Sequence, residues 1–82
     1  MASLKDKVVL VTGAGAGIGE ATALGMAAEG ATMAVSDIDE QAAQRTARKA
    51  EEKGVRSVAI QADCGDVPSI EAMVARTVKE LG

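Results

Sequence analysis

The sequence contains no histidine, tyrosine, tryptophan, phenylalanine or asparagine, and only one cysteine and one proline. Each absence closes off a class of chemistry. Without histidine there can be no Ser-His or Cys-His nucleophilic group and no imidazole to ligate a metal. A single cysteine, Cys64, can form neither an internal disulfide nor a CxxC zinc pair. Without aromatic rings, aromatic stacking on nucleic-acid bases is excluded. The net charge of −3, with both signs mixed along the chain, offers no basic patch for a phosphate backbone. No metal and no nucleic-acid partner are therefore expected. A lone thiol suits a reducing compartment, and the cytoplasm is the expected location.

Long apolar runs are missing as well. After Lys5 and Lys7 the strongly apolar stretch is only Val8 to Val11, VVLV, whereas a signal peptide wants about 7–15 such residues. The GxxxG pairs Gly13/Gly17 and Gly15/Gly19 would mark a membrane helix only inside an apolar stretch of about 20 residues. Here the stretch is too rich in glycine and is interrupted by Glu20. No membrane association is expected. The 82 residues suffice for one small domain at most, and a chain of that size buries only about 60% of its unfolded surface.

What is present alternates. Lys7 to Val11 reads as a buried strand, a short β-branched run bounded by glycine. A helix is predicted from Gly17 to Glu29, closed by Gly30. Ala31 to Ser36 is a second strand ending at Asp37, and Asp39 is placed to cap a helix from Glu40 to Lys53, closed by Gly54. A third strand spans Arg56 to Ala62. Asp66 then caps a last helix that has Pro68 in its first turn and an apolar stripe of Ile70, Met73, Val74, Val78 and Leu81. Met26, Met33, Met73 and the helix alanines are expected in the core. The order β-α-β-α-β-α with short connections specifies an α/β fold with a parallel sheet and right-handed crossovers.

Between the first strand and the first helix lies TGAGAGIG, Thr12 to Gly19, with glycine at every second position. A helix that starts directly after a parallel strand aims its free amides at the C-terminal edge of the sheet, where they and the helix dipole form an anion site. A Cβ in that turn would keep a phosphate from the backbone, and glycine also permits positive φ. The glycines thus fit a site that holds a pyrophosphate against bare backbone. The common fingerprint G-x-G-x-x-G/A is not met, because its last position falls on Ile18, Glu20 or Thr22. No Gly-Lys-Ser/Thr of a P-loop is present.

The spacing that is met, T-G-x-x-x-G-x-G with Thr12, Gly13, Gly17 and Gly19, resembles the cofactor turn of the short-chain dehydrogenase/reductase family. The resemblance runs from about Lys5 to Gly82 and covers only the first part of that family's domain. It implies a partial Rossmann-type fold, with residues 1–82 forming the N-terminal part of a dinucleotide-binding domain. Within it Gly13 makes the turn out of the strand, Gly17 lets backbone approach the pyrophosphate, the amide of Ile18 binds it, and Gly19 lets helix and strand pack closely.

Asp37 lies 18 residues past Gly19, near where an acidic residue accepts hydrogen bonds from the adenosine ribose. A plain turn aspartate is the alternative, but Asp39 is the better cap, which leaves Asp37 free. By the resemblance Ile38 forms an apolar wall beside the adenine. Asp63 and the backbone of Cys64 contact the adenine too, and the Cys64 thiol itself is expected to be a small buried hydrophobe. A carboxylate at position 37, with no base at Ile38 or in the glycine turn, points to NAD, because the 2′-phosphate of NADP would be repelled.

The family's catalytic serine, tyrosine and lysine, with an asparagine-containing segment, cannot be placed, since the chain has no tyrosine and no asparagine. No catalytic residue is assigned, and these residues alone are expected to be inactive. In the complete family the chemistry is hydride transfer between NAD(H) and an alcohol/carbonyl pair. The family's strand order, 3-2-1-4, leaves the edge of the first strand open here. The C-terminal half of the domain, or a second copy, is the expected partner there. An autonomous nucleotide-binding or self-assembling module without redox activity is the alternative reading.

Overall fold

The computed structural model describes residues 3–82; the first two positions of the 1–82 span lie outside the described residues. Six elements follow in order: β1 (Val8–Val11), α1 (Gly17–Ala28), β2 (Thr32–Asp37), α2 (Glu40–Glu51), β3 (Ser57–Gln61) and α3 (Val67–Leu81). The strands form one parallel sheet in the order β1-β2-β3. Val9 aligns with Met33 and Val11 with Val35 across the first pair, and Val35 with Ala59 and Asp37 with Gln61 across the second. The predicted α/β alternation is present, with ends differing by a residue or two.

Strand alternation divides the core in two. Met33 and Val35 meet Ala23 and Ala27 of α1 and Ala47 and Ala50 of α2 on one face. Ala34 meets Ile60, Ala62 and Met73 of α3 on the other. Alanine dominates the first face, so the two helices sit close to the sheet and to each other. Asp39 and Asp66 cap α2 and α3 as predicted, accepting from the amides of Ala42 at 3.2 Å and Ser69 at 3.1 Å. The predicted core position of Met33 and Met73 is observed, while Met26 is half-buried at its margin.

The stripe on α3 differs from expectation. Met73 is buried and Ile70 and Leu81 are half-buried, but Val74 and Val78 are 47% and 62% exposed. Thr77 takes the inward place instead, its hydroxyl donating to the Met73 carbonyl at 2.8 Å. That internal bond satisfies the buried oxygen, which removes the cost that otherwise keeps threonine out of a core.

One ion pair ties α1 to α2. Lys49 Nζ lies 2.9 Å from Glu20 Oε2, and the buried Thr46 hydroxyl donates to the same oxygen at 3.4 Å. The hydrogen bond from Lys49 holds the Glu20 carboxyl below the usual carboxylate range, against the opposing effect of desolvation. A carboxyl with a lowered folded-state pKa adds stability above its unfolded value, and that stability is lost as pH falls through the folded value. Glu20→Gln is therefore expected to lower thermal stability slightly at neutral pH. Wild type and variant should converge as the pH drops below the carboxylate range. Thermal melts across a pH series read this directly, and a gap that persists in acid would exonerate the pair.

Candidate functional site

The C-terminal ends of all three strands reach the same edge of the sheet, because the strands are parallel. There the loops after β1, β2 and β3 enclose a cleft of about 340 Å³ lined by Thr12, Gly13, Asp37, Ile38, Ala62, Asp63, Cys64 and Gly65. Five of the eight residues singled out in the sequence line this cleft: Gly13, Asp37, Ile38, Asp63 and Cys64. The other three, Gly17, Ile18 and Gly19, form the start of α1 beside it and are not on its wall.

Gly13 and Gly17 adopt φ of +61° and +59°. A Cβ at either would meet nothing within 4 Å, so backbone conformation and open approach, not crowding, call for glycine there. Gly19 is the reverse case. A Cβ there would run into the carbonyl oxygen of Gly13 and come within 2.8 Å of its carbon. The helix therefore rests on the loop just past β1. The loop is fixed in turn to β2, since the Ala14 amide donates to the Ser36 carbonyl at 2.8 Å.

Ala16 stands at the N-cap of α1 and supplies no side-chain bond. The first amide of α1 to find a helical acceptor is that of Glu20, to the Ala16 carbonyl at 3.3 Å. Among the described residues the amides of Gly17, Ile18 and Gly19 have no acceptor. α2 and α3 have aspartate caps; α1 alone leaves its amides free, which suits an anionic ligand. Ile18 is 87% exposed, so its amide is open to such a ligand.

Asp37 is half-buried at the end of β2 and is not free, contrary to the sequence expectation. Its Oδ2 accepts from the Gly15 amide at 2.9 Å and its Oδ1 from the Asp39 amide at 3.0 Å. Ile38 beside it is 62% exposed, an apolar surface next to the cleft. Asp63 Oδ1 accepts from the Gly65 amide at 2.8 Å, and the Asp63 amide donates to Ser69 Oγ at 2.9 Å. The loop after β3 is thus locally braced with one Asp63 oxygen uncommitted. Cys64 is exposed, which corrects the expectation of a buried thiol.

A model of the short chain dehydrogenase family matches residues 7–82. The chain belongs to the short chain dehydrogenase family. General stress protein 39 of Bacillus subtilis is 41% identical over 80 residues, which cover 96% of this chain and 28% of that protein. A short chain dehydrogenase/reductase of Aspergillus oryzae is 41% identical over 98% of this chain and 31% of its own length. The crystal structure of a hydroxysteroid dehydrogenase from Escherichia coli superposes with a TM-score of 0.94 at 32% identity, over 98% of this chain and 34% of that one. A short-chain type dehydrogenase/reductase from Mycobacterium marinum gives 0.93, also at 32% identity, covering 98% of this chain and 32% of that one. This short chain dehydrogenase chain spans about a third of the length of these four relatives. The family in general uses NAD or NADP.

Sequence reasoning named Thr12 only within the glycine motif, and left Ala62, Gly65 and Gly15 without a role in the site. The first three follow from the cleft closing around the strand ends. Gly15 had a visible signal: of the four alternating glycines it alone carried no assigned role.

Proposed function

We propose that this chain is the adenosine-binding part of an NAD-dependent short chain dehydrogenase, with residues 1–82 forming the first portion of its dinucleotide-binding domain. The observation that carries the choice of NAD is the charge of the cleft. Its lining has two carboxylates, Asp37 and Asp63, and no lysine or arginine. A ribose with a free 2′-hydroxyl can donate to Asp37, whereas a 2′-phosphate would face a fixed negative charge with no base to offset it. The uncapped amides of Gly17 and Ile18 would hold the pyrophosphate, with Gly13 and Gly19 setting the turn that presents them. Ile38 would cover the adenine on one side, with Asp63 and the Cys64 backbone on the other.

When bound, the nicotinamide supplies the hydride acceptor or donor for an alcohol/carbonyl pair in the complete protein. The residues present here bind and orient the far end of that cofactor. The chain holds no tyrosine, and we assign it no proton-transfer group. Among the described residues no helix is long and apolar enough to cross a membrane. A cytoplasmic location is proposed because these residues carry one exposed thiol and so no disulfide of their own.

Calorimetry with NAD, NADP and ADP-ribose tests the reading. NAD and ADP-ribose are expected to bind more tightly than NADP. Asp37→Ala should cost roughly 1.5–3 kcal/mol of NAD affinity, the scale of hydrogen bonds to a charged group. Equal affinity for NAD and NADP, or an Asp37→Ala variant that binds NAD as well as wild type, would contradict it.

A further inference from the structure

We infer that Gly15 is a positioning residue that fixes the Asp37 carboxylate and thereby sets the preference for an unphosphorylated ribose. The inference rests on the nucleotide reading above and adds to it a residue that neither the glycine spacing nor the cleft lining assigns. The Gly15 amide donates to Asp37 Oδ2 at 2.9 Å, and the Asp39 amide donates to Oδ1 at 3.0 Å. A carboxylate has about four lone-pair positions. Two amides from two different loops therefore hold the group still and leave both oxygens able to accept from a ligand in the cleft. A carboxylate fixed before binding loses no rotamer freedom when the ribose arrives, and the gain appears as affinity.

The need for glycine at this position is one of space. Gly15 is buried, and its φ lies outside the left-handed region, unlike that of Gly13 and Gly17. A Cβ at Gly15 would stand 2.5 Å from Ala42 Cβ, 2.8 Å from Asp37 Oδ2 and 3.0 Å from Asp37 Cγ. Ala42 cannot easily retreat. It is buried in the first turn of α2, and its own amide is held by the Asp39 cap at 3.2 Å. The Asp37 side chain is the softer of the two neighbours, so a Cβ at position 15 in this chain presses on Ala42 and turns the carboxylate away from its place. Gly15 acts through Asp37 and need not touch the ligand.

The test has two arms on the full chain. In the first, no nucleotide is present. Amide hydrogen exchange at Gly15 is followed by NMR in wild type and in Asp37→Ala. Exchange is expected to be slow in wild type and markedly faster in the variant; equal rates would overturn the fixing role without any change at position 15. In the second, calorimetry compares ADP-ribose with its 2′-phosphorylated form for wild type, Gly15→Ala and Gly15→Ala/Ala42→Gly, with circular dichroism confirming the fold. Gly15→Ala is expected to lose about ten- to a hundredfold in affinity for ADP-ribose, the scale of losing a charged hydrogen bond. The 2′-phosphorylated form should lose much less, so the ratio between the two collapses. Removing the Ala42 methyl should restore part of that ratio. A folded Gly15→Ala whose ratio is unchanged, or which weakens both compounds equally, overturns the inference. Failure of the wild type to bind either compound would instead overturn the nucleotide reading, and the specificity role of Gly15 with it.

Discussion

Gly19→Ala is expected to unfold much of this chain, although it adds a single methyl group. The added Cβ would strike the Gly13 carbonyl, and Ala14 Cα lies 3.1 Å away. The obstacle is backbone, so no side chain can swing aside. Overpacking costs about 1–3 kcal/mol and occasionally more, and the immovable neighbour puts this case at the upper end. A domain of this size has little stability to lose. Gly25→Ala is the internal control. It lies in the middle of the same helix, where a Cβ meets nothing within 4 Å, and there alanine is expected to stabilise by about 0.5–1 kcal/mol. Urea titration followed by circular dichroism should show shifts of opposite sign. A Gly19→Ala variant as stable as wild type would mean that α1 does not rest on the Gly13 loop.

The second large effect concerns association. β1 pairs with β2 alone, so one side of Val8 to Val11 presents unpaired amides and carbonyls. Val8 is 41% exposed, and neither charge nor proline interrupts the strand. Such an edge templates pairing with another chain. The position of α3 indicates which strand belongs there. α1 and α2 lie on one face of the sheet and α3 on the other. Right-handed crossovers carry β1 to β2 to β3 in one direction with their helices on one face. A helix on the opposite face, under the same handedness, leads back past β2 to the open side of β1. Without such a strand the chain is expected to self-associate through β1, with light-scattering mass rising with concentration. Val8→Lys should shift it toward monomer. A wild-type chain that stays monomeric at high concentration, with slow amide exchange throughout β1, would show that the edge is protected in another way.

The sequence was legible where one residue answers to one local requirement. Asp39 and Asp66 cap helices because short acceptors before a helical run do so in almost any context. The positive φ of Gly13 and Gly17 follows from a strand turning directly into a helix. Legibility ended where two distant segments decide together. Gly15 is glycine because of Ala42 and Asp37, which approach it only after β2 and α2 have packed. Thr77 displaces Val74 and Val78 from the α3 interface because a three-stranded sheet offers that helix a narrow contact, and the width of the contact is not written in the periodicity of the helix. Asp37 was recognised from its position, but the two amides that hold it were not, since both belong to loops whose course depends on the fold.

The exposed thiol of Cys64 gives this chain a single chemical handle beside the cleft. With no tryptophan, tyrosine or phenylalanine, ligand binding produces no change in intrinsic aromatic fluorescence. A thiol-reactive dye, by contrast, can attach at only one position, and that position lines the same cleft as Asp37, Ile38 and Asp63. A ligand that fills the space between those residues would shield the sulfur, so the rate of labelling becomes a direct measure of how full the cleft is.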